Sequence, residues 1–225
     1  MLIKSLTMID FRKYEQASME FGAFTNILHG ENGAGKTTIL EAIHSLAYTR
    51  SFKTRLDADL SRHGQVGYQL KGVFSDHQKN DHEVRLKVES ARKKLVSVNS
   101  KNLTSRAQII GRFPLVSLTP EDSELTFGSP EIRRLFFNKL ISQVDAGYLE
   151  NLQTYARILK QRNALLQSYT NDGTPIDRIQ MSTLDDQRAQ ISAQLHEARS
   201  KHIAEFKKLL YAAYAELEDE KSVKM

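Results

Sequence analysis

The two halves of the chain differ in the spacing of their hydrophobic positions. In the first half, LIKSLTMIDF, GYQLKGVFS, HEVRLKVES and KLVSVNS mix apolar and polar residues in short runs and predict β-strands. QASMEF predicts a further strand, and FTNILHG predicts a buried strand that ends at glycine. ARKK is expected to connect the last two strands as a hairpin.

Helical spacing first occurs between Thr37 and Thr49, where the apolar residues fall on one face. After GRFPLVSLTPED this spacing dominates the chain. One helix is predicted to start at Ser129, with a capping hydroxyl and Pro130 at the first helical position. A second is predicted from Gly147 to Gln167, and a third from Met181 or Ser182 over more than thirty residues. The predicted buried stripes include Ile132, Leu135, Phe136, Leu140 and Val144 on the first helix and Leu184, Ile191, Leu195, Phe206 and Leu209 on the third.

These patterns predict an α/β part over residues 1–118 and a helical lobe over residues 119–225. The apolar share of 40% and the charged share of 26% are those of an ordinary globular protein. The absence of cysteine excludes disulfides and thiolate metal sites, and the spacing of the seven histidines predicts no zinc site. Because no apolar run is long enough for a bilayer and the N-terminus is charged, we expect a cytosolic protein without a membrane partner. The net charge of +5 permits a polyanionic partner without requiring one.

The segment GENGAGKT, residues 30–37, fits the phosphate-binding pattern G-x-x-x-x-G-K-[ST] between a predicted strand and a predicted helix. Gly30, Gly33 and Gly35 allow the backbone N–H groups to face phosphate oxygens, and the helix adds its own N–H groups and dipole. Lys36 is expected to reach the β- and γ-phosphates, and the Thr37 hydroxyl to ligate Mg²⁺. A glycine-rich turn with an accidental lysine is the alternative interpretation, and the flanking elements favour nucleotide binding.

ATP hydrolysis by this class also requires a Walker B carboxylate at the end of an apolar strand. The sequence offers only MSTLDD, residues 181–186, and the paired acids there are interpreted as the start of the long helix. LSRHGQ, residues 60–65, has a superficial likeness to an ABC signature but lies too soon after the loop and is one residue too long.

Two stretches of the sequence carry a family resemblance. FRKYEQASMEF followed by NILHGENGAGKTTILEAIHSLAYTRSFKT resembles the head domains of SMC and Rad50 proteins and, more closely, the RecF family of bacterial recombination mediators. The stretch LTPEDSELTFGSPEIRRLFFNKLISQVDAGYLENLQTYARILKQRNALLQ is similar to the RecF pattern of Pro-Glu-Asp, Gly-Ser-Pro, paired arginines and a helix ending in Lys-Gln-Arg-Asn-x-Leu-Leu. The resemblance covers essentially the whole chain. It implies an ABC-type P-loop ATPase lobe followed by a helical lobe.

In RecF-like proteins the signature motif and Walker B follow the helical lobe, so the resemblance implies that the C-terminal return to the ATPase lobe is absent from this chain. The chain departs from the family pattern at Asn138, where the family has aspartate, and at Ser100, where the family often has glycine after Asn99. The second departure weakens the prediction of a tight primed turn.

The resemblance implies a role in DNA repair, recombination, replication and the SOS response. ATP with Mg²⁺ would make the complete protein dimerise on duplex or gapped DNA, and RecR-type and RecO-type mediators would help it to load RecA at junctions of single- and double-stranded DNA. The full-length family has slow DNA-dependent ATPase activity. The alternatives are an SMC or Rad50-type head, a nucleotide-gated DNA- or partner-binding module without turnover, and a small-metabolite kinase.

The resemblance also extends the expected nucleotide site. Arg12 matches an Asn-Phe-Arg motif whose arginine lies near the phosphates. Asn32 is expected either to contact the γ-phosphate or to support the turn, and Thr38 is expected to cap the helix and is a candidate for contact with the α-phosphate. Asp59 is interpreted as either nucleotide-flanking or solvated loop, and Glu41 as a solvated helix position rather than a catalytic base. The complete expected nucleotide-binding set is Arg12, Gly30, Glu31, Asn32, Gly33, Ala34, Gly35, Lys36, Thr37 and Thr38.

Two basic clusters are candidates for contact with DNA phosphates, with surface solvation as the alternative. The first contains Arg50, Lys53 and Arg55 around Phe52, and the second contains Arg92, Lys93 and Lys94 at the predicted hairpin.

Overall fold

A computed structural model describes residues 1–54, 56–90, 93–173 and 175–222 of the chain. The chain divides into two compact units, Met1–Thr119 and Pro120–Met225. Arg55 and Arg92 of the two basic clusters lie outside the described residues.

The first unit is built on one six-stranded sheet in which every neighbouring pair of strands is antiparallel. The strand order is β2-β1-β3-β4-β5-β6. The strands are β1 Leu2–Phe11, β2 Tyr14–Glu20, β3 Tyr68–Ser75, β4 Asp81–Ser90, β5 Lys93–Val98 and β6 Lys101–Asn102. Most of the strands predicted from alternation are therefore confirmed, and Lys93 and Lys94 belong to β5 rather than to a connecting turn.

Helix α1, Lys36–Tyr48, packs on one face of this sheet and confirms the helix predicted from Thr37. Ala42 and Leu46 of α1 share a core with Leu6 and Met8 of β1 and Leu70 of β3. Because successive strand residues point to opposite faces, this face takes the apolar positions and the other takes Thr7, Lys71 and Arg85.

The strand predicted for FTNILHG is wrong. Residues 25–30 are neither helix nor strand in the structure, and Phe24 and Ile27 are 96% and 81% exposed. A strand needs a hydrogen-bonding neighbour, and no strand or bridge among the described residues pairs with residues 24–30.

The turn between β5 and β6 is a primed turn, although Ser100 in place of glycine had weakened that prediction. Asn99 and Ser100 have φ values of 49° and 63°. Positive φ at both central residues is the requirement of a type I′ turn, so Ser100 occupies a position that glycine would take with less strain. Asn99 also fixes the turn against β4, since its backbone N–H donates to the carbonyl of Glu83 at 2.8 Å.

The second unit is helical, with a short α2, Glu124–Phe127, ahead of α3, Pro130–Val144, α4, Ala146–Asp172, and α5, Arg178–Ser222. The three long helices match the predicted ones, although α4 continues five residues further and α5 starts earlier. Ser129 is the N-cap residue of α3, but its hydroxyl makes no capping hydrogen bond, contrary to prediction.

The core of this unit is only partly the one predicted. It is centred on Ile141, Tyr148 and Leu195, with Phe137 packed against them. Leu135, Val144 and Leu209, which were predicted to lie on buried stripes, are 50%, 72% and 71% exposed. The helical spacing therefore predicted which residues share one side of each helix, but not which of them pack against the neighbouring helices.

Asn138 takes part in a polar network among three helices of this unit. Its Oδ1 accepts hydrogen bonds from the Tyr148 hydroxyl at 2.6 Å and from Arg199 at 3.1 Å. Arg199 Nε also donates to the Tyr148 hydroxyl at 2.7 Å. Asn138 thus provides a hydrogen-bond acceptor at the position where the family pattern has aspartate, but it carries no negative charge.

Among the described residues, the structure has no helix that combines the length and the apolar character needed to span a membrane.

Candidate phosphate-binding site

The glycine-rich loop leads directly into the N-terminus of α1. Gly30, Gly33 and Gly35 have φ values of 140°, 80° and 96°, which are conformations that favour glycine. Gly35 is the N-cap residue of α1, and the helix has no side-chain cap. Thr38 is already the third residue of the helix, so the expectation that it caps α1 is wrong. The first N–H groups of α1 and the loop therefore form the type of backbone cradle that holds anions.

Two lysines bring positive charge to this loop. Lys36 Nζ donates to the carbonyl oxygens of Gly30 and Glu31, both at 2.8 Å. Lys13 Nζ donates to the carbonyl of Gly33 at 2.8 Å. Both ammonium groups therefore lie directly against the loop and place two positive charges beside its backbone.

The turn between β1 and β2 supports the loop from one side. A Cβ atom on Gly35 would lie 2.6 Å from both Lys13 Cε and the Tyr14 hydroxyl, so these two side-chain ends pack directly against the glycine, whose φ of 96° itself disfavours other residues. The Tyr14 hydroxyl also donates to the carbonyl of Ala34 at 3.4 Å. Neither Lys13 nor Tyr14 was predicted as a site residue, although both directly follow Arg12, Lys13 in the same turn and Tyr14 as the first residue of β2.

Arg12 lies in that turn but binds an acid on α1. Its Nε and NH2 groups donate to the two carboxylate oxygens of Glu41 at 3.0 and 2.8 Å, and NH1 donates to the carbonyl of Asp59 at 2.8 Å. The hydrogen bond to Glu41 raises the pKa of Arg12, against the opposing effect of burial. The placement of Arg12 near phosphates stays a prediction.

Glu41 was interpreted as a solvated position, and that interpretation is wrong, because the residue is 1% exposed. The Ser51 hydroxyl also donates to its carboxylate. A buried carboxylate needs such partners, and Arg12 and Ser51 supply them. The pair joins the β1–β2 turn to the helix that follows the phosphate loop.

The other predicted nucleotide-site residues lie on the exposed side of the same loop. Glu31, Asn32, Ala34 and Thr37 are exposed, and Thr38 is half-buried. Asp59 is exposed, and its carboxylate accepts a hydrogen bond from the Thr54 hydroxyl. Thr37 lies in the first turn of α1 with its side chain exposed, and its contact with Mg²⁺ stays a prediction.

The described members of the two basic clusters have different surroundings. Arg50 and Lys53 are exposed in the segment after α1, whereas Lys93 is exposed on β5 and pairs with Glu89 at 2.6 Å. The Lys94 side chain is only 8% exposed, where it pairs with Asp57 and donates to the carbonyl of Thr49. Lys94 therefore has a role inside the unit, and its contact with DNA stays an untested prediction.

The acids of MSTLDD lie within α5 rather than at the end of a strand. Asp185 pairs with Arg162 of α4 at 2.8 Å. This placement agrees with the interpretation of these acids as helical residues.

Comparisons with known proteins identify relatives over nearly the whole chain. The family model for the AAA domain matches residues 5–223. The DNA replication and repair protein RecF of Cytophaga hutchinsonii is 35% identical over 90% of this chain and 53% of its own length. RecF of Porphyromonas gingivalis is 30% identical over 96% of this chain and 58% of its own length. The chain thus spans about half the length of these curated relatives.

Solved structures give the same picture. The structure of the recombination mediator protein RecF with ATP in the RecFOR pathway superimposes with a TM-score of 0.86 at 25% identity, over 92% of this chain and 55% of the other. A structure described for the ATP-driven dimerisation and DNA-stimulated activation of SMC ATPases gives a TM-score of 0.51 at 18% identity, over 62% of this chain and 99% of the other, and shows a shared fold only.

The chain belongs to the AAA domain family, and its fold is that of an ATPase head with a mixed α/β unit and a helical unit. Within that family its resemblance to RecF, predicted from the two sequence stretches, is confirmed.

Proposed function

We propose that the chain binds the phosphates of ATP together with Mg²⁺ at the loop formed by residues 30–37. The observation that carries this proposal is the loop itself, with three glycines at positive φ ahead of α1 and two lysine ammonium groups on its carbonyls. The solved structures of RecF with ATP and with an ATP analogue support it.

The residues present fit a nucleotide phosphate bound with a metal. Backbone N–H groups of the loop and of α1 would hold the phosphate oxygens, and Lys36 and Lys13 would neutralise their charge. The Thr37 hydroxyl would provide one ligand to Mg²⁺, which normally completes its shell with phosphate and water oxygens and neutralises phosphate charge when bound.

We propose further that this site controls DNA binding in replication and recombinational repair in the cytoplasm. In this proposal the complete protein forms an ATP-dependent homodimer on duplex or gapped DNA and, with RecR-type and RecO-type mediators, helps to load RecA at single/double-strand junctions. The names of the curated relatives and the RecFOR structure support this role. Residues 1–118 would belong to the ATPase lobe and residues 119–225 to the helical lobe.

A second candidate is a nucleotide-gated module that binds without turnover. The observation that favours it is the hydrogen bonding of the Glu41 carboxylate, on the helix that follows the loop. Arg12 and Ser51 occupy its carboxylate, so it is not free to orient a water molecule. Measurement of phosphate release with and without duplex DNA separates the two candidates, because DNA-stimulated release supports the first and binding without release supports the second.

Lys36→Ala tests the phosphate site. A charge-assisted hydrogen bond contributes about 1.5–3 kcal/mol, so we expect the affinity for a fluorescent ATP analogue to fall by about 10- to 100-fold. The melting temperature should stay near that of the wild type, because the lysine donates only to loop carbonyls among its described contacts.

Lys53→Ala is the matched control, since it removes an exposed lysine outside the loop and should leave affinity unchanged. Unaltered binding of the analogue by Lys36→Ala would show that the loop is not the phosphate site.

A further inference from the structure

One face of the six-stranded sheet is covered by α1, and the opposite face carries mostly polar residues, interrupted by Ile9, Val73 and Leu95. A row of register partners crosses this opposite face from Thr7 on β1 through Lys71 on β3 and Arg85 on β4 to Ser97 on β5. The neighbouring row continues through Gln69 and Lys87. We call the surface formed by Thr7, Gln69, Lys71, Arg85, Lys87 and Ser97 the open face.

Cations outnumber acids on the open face and its margin. Lys71 and Arg85 are direct cross-strand partners, an arrangement that like charges normally avoid. Glu83 compensates for both, at 2.7 Å from Lys71 and 2.6 Å from Arg85. Glu89 in the same way pairs with Lys87 at 2.8 Å and with Lys93 at 2.6 Å. These two carboxylates serve four cations, and the exposed Glu20 at the β2 edge, the register partner of Ser5, adds a third acid, so the cations exceed the acids by one.

The cationic side chains remain accessible to a partner. The side chains of Lys71, Arg85 and Lys87 are 44%, 56% and 46% exposed, respectively. Their ion pairs lie in water and contribute little individually, so phosphate groups can replace the carboxylates at small cost.

We propose that the open face binds the phosphate backbone of duplex DNA. This inference rests on the proposed function, in which the partner is DNA. A flat antiparallel surface presents no helix to a groove, and its cations and neutral donors contact phosphates without reading bases. The open face crosses the four neighbouring strands β1, β3, β4 and β5, which span about 14 Å at the usual strand spacing, enough to contact more than one phosphate.

The same surface favours duplex over single-stranded DNA. Proteins that bind single strands without sequence preference stack bases on aromatic side chains. Among the described residues, the register places no aromatic side chain on this face of the four inner strands. The paired positions are Ser5, Thr7 and Ile9 on β1, Gln69, Lys71 and Val73 on β3, Glu83, Arg85 and Lys87 on β4, and Leu95 and Ser97 on β5.

The test is a triple variant, Lys71→Gln with Arg85→Gln and Lys87→Gln, in the 225-residue chain with a fluorescent duplex of arbitrary sequence. Each phosphate contact contributes about 0.9 to the slope of log affinity against log salt, so loss of three should lower the slope by about 2.7. Binding at low salt should weaken about 10-fold or more, while binding of the ATP analogue stays unchanged.

The matched control is Lys201→Gln with Lys207→Gln and Lys208→Gln on α5, which removes the same charge from exposed lysines elsewhere. It should retain a salt slope close to that of the wild type. Glu83→Gln should have the opposite effect to the open-face variant and tighten duplex binding, because it frees two cations; this result does not depend on the triple variant folding.

The outcomes distinguish this inference from the proposed function. If the wild type does not bind duplex at low salt, both DNA binding and the open face are overturned. If the wild type binds duplex but the open-face variant and Glu83→Gln bind equally well, only the assignment of this surface fails. Tighter binding of single strands than of duplex would also overturn it.

Discussion

Ser100 has a backbone conformation that is strained for a residue with a side chain. Its φ of 63° lies in the left-handed region, and the preceding Asn99 has a φ of 49°. Asparagine adopts this conformation readily, but serine does so at a cost. The β5–β6 turn therefore forms because the sheet and the hydrogen bond from Asn99 to Glu83 require it.

Replacement of Ser100 by glycine should relieve this strain. We expect Ser100→Gly to raise the free energy of unfolding by about 0.5 to 1 kcal/mol, after subtraction of the entropy that glycine adds to the unfolded chain. Urea unfolding followed by circular dichroism measures the change. Ser100→Ala is the control, because alanine has the same strain as serine; equal stability of the glycine and alanine variants would contradict the argument.

Single residues also mark how far the sequence could predict the site. The loop glycines and Lys36 were predictable, because a short motif specifies their positions relative to one another. The burial of Glu41 was not predictable, since it depends on Arg12, which is distant in sequence, and on Ser51, which lies beyond the end of its helix. Lys13 and Tyr14 reach the loop only because β1 and β2 form a tight antiparallel pair.

At the scale of elements, α4 depends on a side-chain cap that also responds to pH. Asp145 is the N-cap residue, and its Oδ1 accepts from the backbone N–H of Tyr148 at 2.8 Å. Its Oδ2 accepts from His202 of α5 at 3.1 Å. The hydrogen bond from Tyr148, followed by that from His202, lowers the pKa of Asp145 below its usual value against the effect of burial.

Asp145→Ala should lower the free energy of unfolding by about 1 kcal/mol at neutral pH, as loss of a helix cap does. Asp145→Asn keeps a capping oxygen but removes the charge, so it isolates the pH-dependent part. A carboxylate with a lowered folded-state pKa stabilises the protein above its unfolded pKa of about 3.9, and this stabilisation is lost as the pH falls through the folded value.

Urea unfolding between pH 3 and pH 7 measures this difference. The wild type should exceed Asp145→Asn in stability at pH 7, and the gap should narrow toward pH 3. A gap that stays constant over this range would show that ionisation of Asp145 does not contribute to stability.

The elements themselves were predicted unevenly from the sequence. The strands β3 to β5 and the helix α1 were predictable from local periodicity, because the tertiary structure buries the same apolar positions that the periodicity places on one face. FTNILHG has the composition of a buried strand, but a strand exists only with a partner, and the sequence of one segment does not contain that information. In the helical unit, periodicity predicted the apolar side of each helix. The packing of the three helices then buries Phe137 and Ile141 more than Leu135 and Val144.

At the scale of the whole molecule, the first unit exposes two apolar segments that are neither helix nor strand, residues 24–28 and 116–118. Phe24 and Ile27 are 96% and 81% exposed in the first, and Val116 and Leu118 are 88% and 89% exposed in the second. Exposed apolar residues that occur singly are normal, but clusters of this kind mark surfaces that associate with other polypeptides. The curated relatives are about twice as long as this chain.

We therefore expect the 225-residue chain to self-associate as its concentration rises, and the two segments to be the cause. Phe24→Ser with Ile27→Thr should reduce light scattering at a given concentration, because it removes apolar surface without touching the sheet core. Val66→Thr is the matched control, since it removes an exposed apolar side chain, 74% exposed, outside both segments, and it should leave scattering unchanged. A wild-type chain that stays monomeric at concentrations up to about 100 μM would contradict the expected self-association. A double variant that scatters as strongly as the wild type would assign the self-association to a surface other than residues 24–28.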